Sequence, residues 1–479
     1  MQVSYNRGLI VAVLLAGSFI AILNQTLMIT AIPPIMQEMH VTANTAQWLT
    51  TVFMLVNGVM IPISAFLVEK YTTRQLYLTA MIIFIIGTLI AAVAPNFGVL
   101  LVGRVVQSAG AGIIFPLMQT IFLLIYPANQ RGQAMGLVGL VISFAPAIGP
   151  ALSGWVIAAF SWRVLFIIIL PIALIVTVVG AIAMKNVTEQ TNPKIDVVSM
   201  ILSTLGFGGL LYGFTAAGNN GWGSSSTVFS LSIGVLSLLL FVTKQLRMEQ
   251  PVLEFRVFRY PIFTITTIIG MIGFLGLIGS ETLIPLFMQN MRGYSAMQSG
   301  IAILPGALIT GFLSPLTGRL FDRYGAKWLT ISGLIIMTVA TWLFSTLTVS
   351  TTMFFITILY SIRMLGQVMV MMPASTAGLN ELPRRLIPHG SAMGNTLRQV
   401  AASVGTAILV TVMTTAAEAN AKAPHGMTPA ILGVNRAFFI VLLLTAAALC
   451  LSFFIKKTSP PEEEILRLPK TSRAKRARA

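Results

Sequence analysis

Four charged residues stand where the sequence has least room for them. Arg104, Glu281, Arg363 and Arg398 each fall inside an apolar run long enough to cross a bilayer. A charge at the centre of a span costs on the order of 3 kcal/mol or more unless it is paired or set in a wet cavity, so such residues mark ion pathways or proton relays. Glu281, in Gly276-Leu-Ile-Gly279-Ser-Glu281, is the one carboxylate inside any run. Its chemistry would be to bind a proton on one side of the membrane and release it on the other. The plainer alternative is a pairing with a cation near the outer surface. Arg104 lies about five residues into its run, within snorkelling reach of that surface. Arg363 lies nearer mid-membrane, where snorkelling does not account for it. Asn24, Gln25 and Gln107 add polar side chains inside spans and, with Arg398, are candidates for the wall of a substrate cavity.

Two short loops carry a second kind of chemistry. Ala65-Phe-Leu67-Val-Glu69-Lys70-Tyr71-Thr72-Thr-Arg74 and Gly318-Arg-Leu320-Phe-Asp322-Arg323-Tyr324-Gly325-Ala-Lys327 share one pattern, small-x-Leu-x-acid-base-Tyr-x-x-base, 253 residues apart. A carboxylate beside cations at a helix end can hold neighbouring helices in one arrangement and release them in another. One copy would pass for a solvated turn; two matched copies argue for a repeated device. An intramembrane arginine follows each loop, Arg104 after the first and Arg363 after the second. Internal repeats of this kind mark transporters built from two related halves.

Covalent chemistry is not expected. His40, His389 and His425 fall in separate loops without metal-ligand spacing, and Cys450 stands alone, so no metal site and no intrachain disulfide is expected. No nucleophile–base pair and no phosphate-cradling loop is present, so neither enzyme activity nor a cofactor is expected.

The elements that must position these residues follow from composition. Of 479 residues, 56% are hydrophobic and only 9% charged. Soluble domains run nearer a quarter charged, so most of this chain must face lipid or itself: an all-α polytopic membrane protein. Fourteen apolar runs near the length of a spanning helix extend from 9–32 to 433–455. The first is too long for a signal-peptide core and is read as a retained helix ending near Pro33-Pro34. An even number of spans puts both termini on one side. That side holds 23 of the 30 Lys and Arg and the opposite side four, with Arg104, Arg363 and Arg398 inside spans. By the positive-inside rule both termini are cytoplasmic. The formal charge of +17 is thereby explained by topology and not by nucleic-acid binding. The expected organisation is a six-helix half over 1–184, two inserted helices with linkers over 185–260, a second six-helix half over 261–455, and a basic cytoplasmic tail over 456–479 that meets anionic lipid.

One span has an unusual build. Gly139 to Gly154 carries Gly139, Pro146, Gly149, Pro150, Ser153 and Gly154, residues that weaken a soluble helix but are tolerated where neighbouring helices satisfy the backbone. Ala145, Gly149 and Ser153, four apart, make a groove for another helix backbone. We expect Gly149 to serve packing between the two halves.

With these motifs the chain resembles the major facilitator superfamily, and within it the fourteen-spanner drug:proton antiporters (EmrB/QacA-type multidrug exporters). The likeness covers residues 8 to 455. Gly318 to Lys327 matches the superfamily loop signature G-x-L-x-D-R-x-G-x-K; the first copy departs from it at Ala65, Glu69 and Thr72. Arg104-Val-Val-Gln107-Ser108 is similar to R-x-x-Q-G, and Gly149-Pro150-Ala-Leu-Ser153-Gly154 to the antiporter signature G-P-x-x-G-G, each with one small-residue swap. The antiporter signature implies export. Ser161-Trp162-Arg163-Val-Leu-Phe166, Pro193-Lys-Ile-Asp196, Pro251-Val-Leu-Glu254 and Asn395-Thr-Leu-Arg398-Gln399 resemble the fourteen-spanner branch, and its lincomycin-resistance type most of all. Relatives carry Leu-Asp-x-Thr in the first span, where this chain has Leu23-Asn24-Gln25-Thr26. Asn cannot titrate, so a different carboxylate must carry the proton.

The resemblance implies a monomeric cell-membrane antiporter that exchanges protons for amphipathic small molecules by alternating access and confers multidrug resistance. Glu281, Arg104 and Arg363 would couple protons. Glu69, Lys70, Arg74, Asp322, Arg323 and Lys327 would gate. An exporter of an endogenous lipid, fatty acid or peptide, or a non-transporting sensor on the same fold, are the alternatives.

Overall fold

The computed structural model describes residues 6–188, 190–191, 193, 196–419 and 428–456. The basic tail from 457 onward, Lys194, Lys422 and His425 lie outside them. Fourteen helices long and apolar enough to span a membrane follow one another: α1 (Arg7–Met39), α2 (Ala43–Lys70), α3 (Thr73–Ala92), α4 (Phe97–Ile125), α5 (Arg131–Ala159), α6 (Arg163–Ala183), α7 (Val197–Asn220), α8 (Ser225–Arg247), α9 (Pro261–Leu286), α10 (Ala296–Tyr324), α11 (Ala326–Phe344), α12 (Met353–Asn380), α13 (Ile387–Ala419) and α14 (Pro429–Ser452). No strand occurs among the described residues.

Helices α1–α6 pack chiefly on one another, and so do α9–α14. The pairings correspond: α2 and α3 flank α4 as α10 and α11 flank α12, and α1 lies on α5 as α9 lies on α13. Across the two sets the main pairings are α5 with α10 and α2 with α13, again mates under the repeat. Helix α7 lies against α2 and α13, and α8 lies on α7. We call the face carrying Arg7 and Ser452 the terminal face and the other the distal face.

Local chemistry sets the helix ends. Thr72 and Gln75 form a capping box at the start of α3, and Ser295 and Gln298 do so at α10. Asp196 caps α7 through Ser199 and pairs with Lys244 of α8 at 2.7 Å, joining the inserted helices. The apolar span of α1 is Arg7–Met28, but the helix does not end near Pro33-Pro34 as expected: it runs through both prolines to Met39 and stops where His40 turns left-handed (φ 52°). In the last turn of α1 Glu38 accepts from Trp162 Nε1 at 2.7 Å and pairs with Arg163, which also donates to Ala94 O at 2.9 Å. The Arg163 hydrogen bond holds the Glu38 carboxyl below its ordinary value despite a small opposing effect of burial. The Ser161–Phe166 signature is thus a distal-face staple joining α1, α3 and α6.

Candidate functional site

The acids of the two repeated loops both reach across the molecule. Asp322, in the last turn of α10, accepts from the backbone N–H groups of Gly132 and Gln133 at the start of α5, each at 2.8 Å. These amides belong to the first turn of a helix, have no partner within it and carry its positive dipole end. The approach needs two glycines. A Cβ on Gly318 would strike the Gly132 carbonyl oxygen, and one on Gly132 the Gly318 oxygen. Glu69, in the last turn of α2, meets the first turn of α13, but through a side chain. His389 Nε2 lies 2.9 Å from Glu69 Oε1, and His389 Nδ1 accepts from the Glu254 N–H at 3.3 Å. An accepting Nδ1 puts the proton on Nε2, so a neutral ring donates to Glu69.

Three more bonds close the terminal end. Arg131 Nη1 donates to Asn380 Oδ1 at 2.8 Å. Gln119 of α4 accepts from Ser391 Oγ at 3.0 Å and Asn395 Nδ2 at 2.7 Å. Asn395 accepts in turn from Arg398, at 2.5 Å, so half-buried Arg398 supports a link between the helix sets. The remaining gate cations play softer parts. Lys70 lies over the rings of Phe66 and Tyr71, Arg323 over Tyr324, and Arg74 and Lys327 make no ion pair with described residues. The departure at Thr72 has a local reason. Gly325 ends α10 at φ 80°, whereas its counterpart Thr72 stays at φ −64° to cap α3.

Towards the distal face the α5–α10 pair loosens. Gly136 and Gly139 pack on Ser314, and Phe144 on Gly311, with the Phe144 and Phe312 rings edge-to-face at 5.0 Å. Beyond them Ile148, Trp155, Met297, Ile301 and Leu304 are exposed. The side-chain and backbone bonds between the two sets thus gather at the terminal end.

Within the membrane, Arg104 is fully buried and not snorkelling. Its Nη1 donates to Asn24 Oδ1 at 2.6 Å and Gln107 Oε1 at 2.7 Å, its Nε to Leu49 O at 3.3 Å, and it lies over the Phe53 ring at 4.2 Å. Gln107 donates onward to Thr88 Oγ1 at 2.7 Å. Asn24 and Gln107, expected in a cavity wall, are buried and occupied with Arg104 in this conformation. Gln25 is half-buried.

The second arginine differs. Arg363 is fully buried over Gly276, and none of its three nitrogens has a hydrogen-bond partner. Glu281 is exposed on α9. It is within electrostatic reach of Arg363 but makes no ion pair with it. Glu281 follows Asn24 by 257 residues and Arg363 follows Arg104 by 259. The arginine–acid pair therefore occupies, in the second helix set, the place of Arg104 and Asn24 in the first.

The Gly/Pro stretch of α5 requires a correction. Gly149 does not pack between the halves: a Cβ there would strike the Thr26 side chain of α1, in its own helix set. Thr26 Oγ1 also reaches Ala145 O at 3.4 Å, and Thr30 hydrogen-bonds Ser153. The contact between sets falls to Gly132, Gly136 and Gly139, nearer the terminal face. Pro150 and Gly154 are exposed, and nothing lies within 4 Å of a Cβ built on Gly154. Sequence reasoning missed His389 and Gln119. The repeat held the signal for His389, which stands two residues into α13 as Gln133 stands two into α5. No cluster of His, Cys, Asp or Glu suited to a metal occurs among the described residues.

Fourteen spanning helices in two linked, corresponding sets, a shut terminal end and arginines buried within spans define a polytopic membrane transporter. Residues 14–406 match the family model for the Major Facilitator Superfamily, and the chain belongs to that superfamily. It is 54% identical over 439 residues to the uncharacterized MFS-type transporter YcnB of Bacillus subtilis, covering 92% of this chain and 93% of that one. It is 44% identical over 407 residues to the lincomycin resistance protein LmrB of the same organism, covering 85% of each. With the multidrug export protein EmrB of Haemophilus influenzae it shares 29% over 395 residues, 82% of this chain and 78% of that one. These relatives set it beside lincomycin-resistance and multidrug-export members of the superfamily. The fold is shared with the human organic anion transporter MFSD10, at a TM-score of 0.68 and 13% identity, over 94% of this chain and 100% of that one.

Proposed function

We propose that this protein exports amphipathic small molecules in exchange for protons, by alternating access between α1–α6 and α9–α14, and so confers multidrug resistance. The observation that carries the reading is the pair Glu281 and Arg363. A carboxylate within electrostatic reach of a buried arginine without hydrogen bonds is a site with two states. Deprotonated, Glu281 is drawn to the guanidinium; protonated, it is released. In this reading the terminal face is cytoplasmic, and the arrangement described is the outward-facing one, with Glu281 open to protons from outside. The Asp322 and Glu69 contacts then break when the halves rock and the cytoplasmic end opens. The protein works as a monomer in the cell membrane without a cofactor.

The test is reconstitution into vesicles carrying a pH-sensitive dye, with a drug panel added in the presence and absence of an uncoupler. Drug-induced proton movement and uncoupler-sensitive uphill efflux are expected. Drug transport indifferent to the proton gradient would sink the coupling, and drug binding without transport would favour a sensor.

A further inference from the structure

Two helix sets that rock against one another meet along two seams, α5 with α10 and α2 with α13. Only one of them is covered. Helix α7 lies along the α2–α13 seam and touches both sides of it. Its Tyr212 stacks on Trp48 of α2, ring centroids 5.6 Å apart, and its Leu211 fills the space above Gly58, where α2 also meets Gln399 of α13. At the distal end Trp222 Nε1 donates to Thr411 Oγ1 of α13 at 2.7 Å. At the terminal end the linker into α7 reaches the same seam, Thr191 N–H donating to Glu69 O at 3.1 Å. A helix about 10–12 Å wide closes such a gap to an acyl chain. Helix α8 backs it from the lipid side. Gly209 and Gly234 bring the two backbones together, while Phe229, Leu236, Leu239 and Leu240 are exposed. Among the described residues no helix lies over the α5–α10 seam. Phe144 packs there on Gly311 and Phe312, and Ile148, Trp155, Met297, Ile301 and Leu304 toward the distal face are exposed.

We propose that the inserted pair α7–α8 is a fixed cover over one seam, so that lipid-dissolved substrate exchanges with the central cavity through the α5–α10 seam alone, past Phe144 and Phe312. The substrate part rests on the exporter reading; the cover does not. The cover also gives a physical reason for two additional spans in a repeat that needs twelve. A compound that partitions into the bilayer would otherwise leak back through a second slot opposite the first.

The experiment uses the full chain in vesicles containing a phospholipid with a mid-chain diazirine, whose carbene labels only what an acyl chain touches. Peptides are then mapped by mass spectrometry. Phe144 and Phe312 should be labelled, and Gly58 and Gln399 at least ten-fold less. The Leu211→Ala/Tyr212→Ala variant should bring Gly58 and Gln399 up to the Phe312 level; Trp48→Ala, a milder change on the other side of the contact, should raise them part of the way. Labelling of Gln399 in the unaltered protein at the Phe312 level, or no rise in either variant, would overturn the cover. A photoreactive lipophilic cation supplies the second arm. Its label should fall on Phe144 and Phe312 and not on Leu55 or Val59 of α2; equal label on both seams would overturn the route. Lipid labelling needs no turnover, so failure of the exporter reading would appear separately, as absent efflux with an intact labelling pattern.

Discussion

Asn24 accepts a 2.6 Å hydrogen bond from Arg104, and the equivalent place in the second helix set holds Glu281 beside an arginine with no hydrogen bond at all. The first pair is hydrogen-bonded through Arg104 Nη1 and uncharged on one side, though Arg104 Nη2 has no partner; in the second all three guanidinium nitrogens lack one. Replacing Glu281 with Gln should leave drug binding intact and abolish drug-induced proton movement and uphill efflux, while downhill drug flux persists. Normal uphill efflux with an unchanged pH profile would rule out Glu281 as the carrier.

The same relationship predicts a rescue. Asn24→Asp in the Glu281→Gln background returns a titratable group beside a buried arginine, in the mate of the lost site. Part of the drug-induced proton movement should reappear, at roughly a fifth to a thirtieth of the original rate, if a misfit of about 1–2 kcal/mol is all that separates the two places. A double variant as inert as Glu281→Gln alone would mean that the first helix set cannot host coupling.

Asp322→Asn should slow efflux about ten-fold or more with little change in protein abundance. Two charge-assisted bonds to the α5 amides become, at best, neutral ones, a loss of about 1.5–3 kcal/mol from the closed terminal face. Glu69→Gln should do less, since the His389 ring can still donate to an amide oxygen. Thiol accessibility at a cysteine placed near Gly318, in a Cys450→Ser background, would read the opening directly.

Gly149→Leu should act on folding and not on the gate. The added side chain meets Thr26 within α1–α6, so thermal stability in detergent should fall while the terminal-face accessibility of surviving protein stays unchanged. Gly318→Leu should show the reverse balance, with the terminal face opened. Equal gate opening by both would contradict the contact map.

The sequence carried the fourteen spans, the repeated loops and the buried arginines, because each is a local pattern: an apolar run, an ordered string of charges, a charge inside a run. It could not carry partners that depend on which helices touch. Gly149 bears a packing signature, yet nothing local distinguishes α1 from a helix of the other half as its neighbour. His389 looked idle because its two partners, Glu69 and the Glu254 amide, lie 320 and 135 residues away. Pro33-Pro34 resembled a helix end because the rule that prolines stop helices belongs to water-exposed backbone.

The Glu38 staple should be visible in acid. Its carboxyl titrates below the ordinary value in the folded protein, so its contribution is present above the unfolded pKa, near pH 4, and is lost as pH falls through the lower folded value. The pair is partly exposed, so the effect is about 0.2–1 kcal/mol. Melting curves should show wild type losing stability below about pH 4.5 relative to Glu38→Gln; parallel curves would remove the staple from the stability account.

The two terminal-face contacts also differ in how they withstand mutation over generations. Asp322 is held by main-chain amides, which every residue except proline supplies, so Gln133 is free to drift in type while the contact persists. Glu69 is held by the ring of His389, and almost any change at that codon removes its partner. Natural variation that retunes the pump without dismantling it should therefore accumulate at the Glu69–His389 end, leaving the other end as the fixed reference against which new substrate ranges are tried.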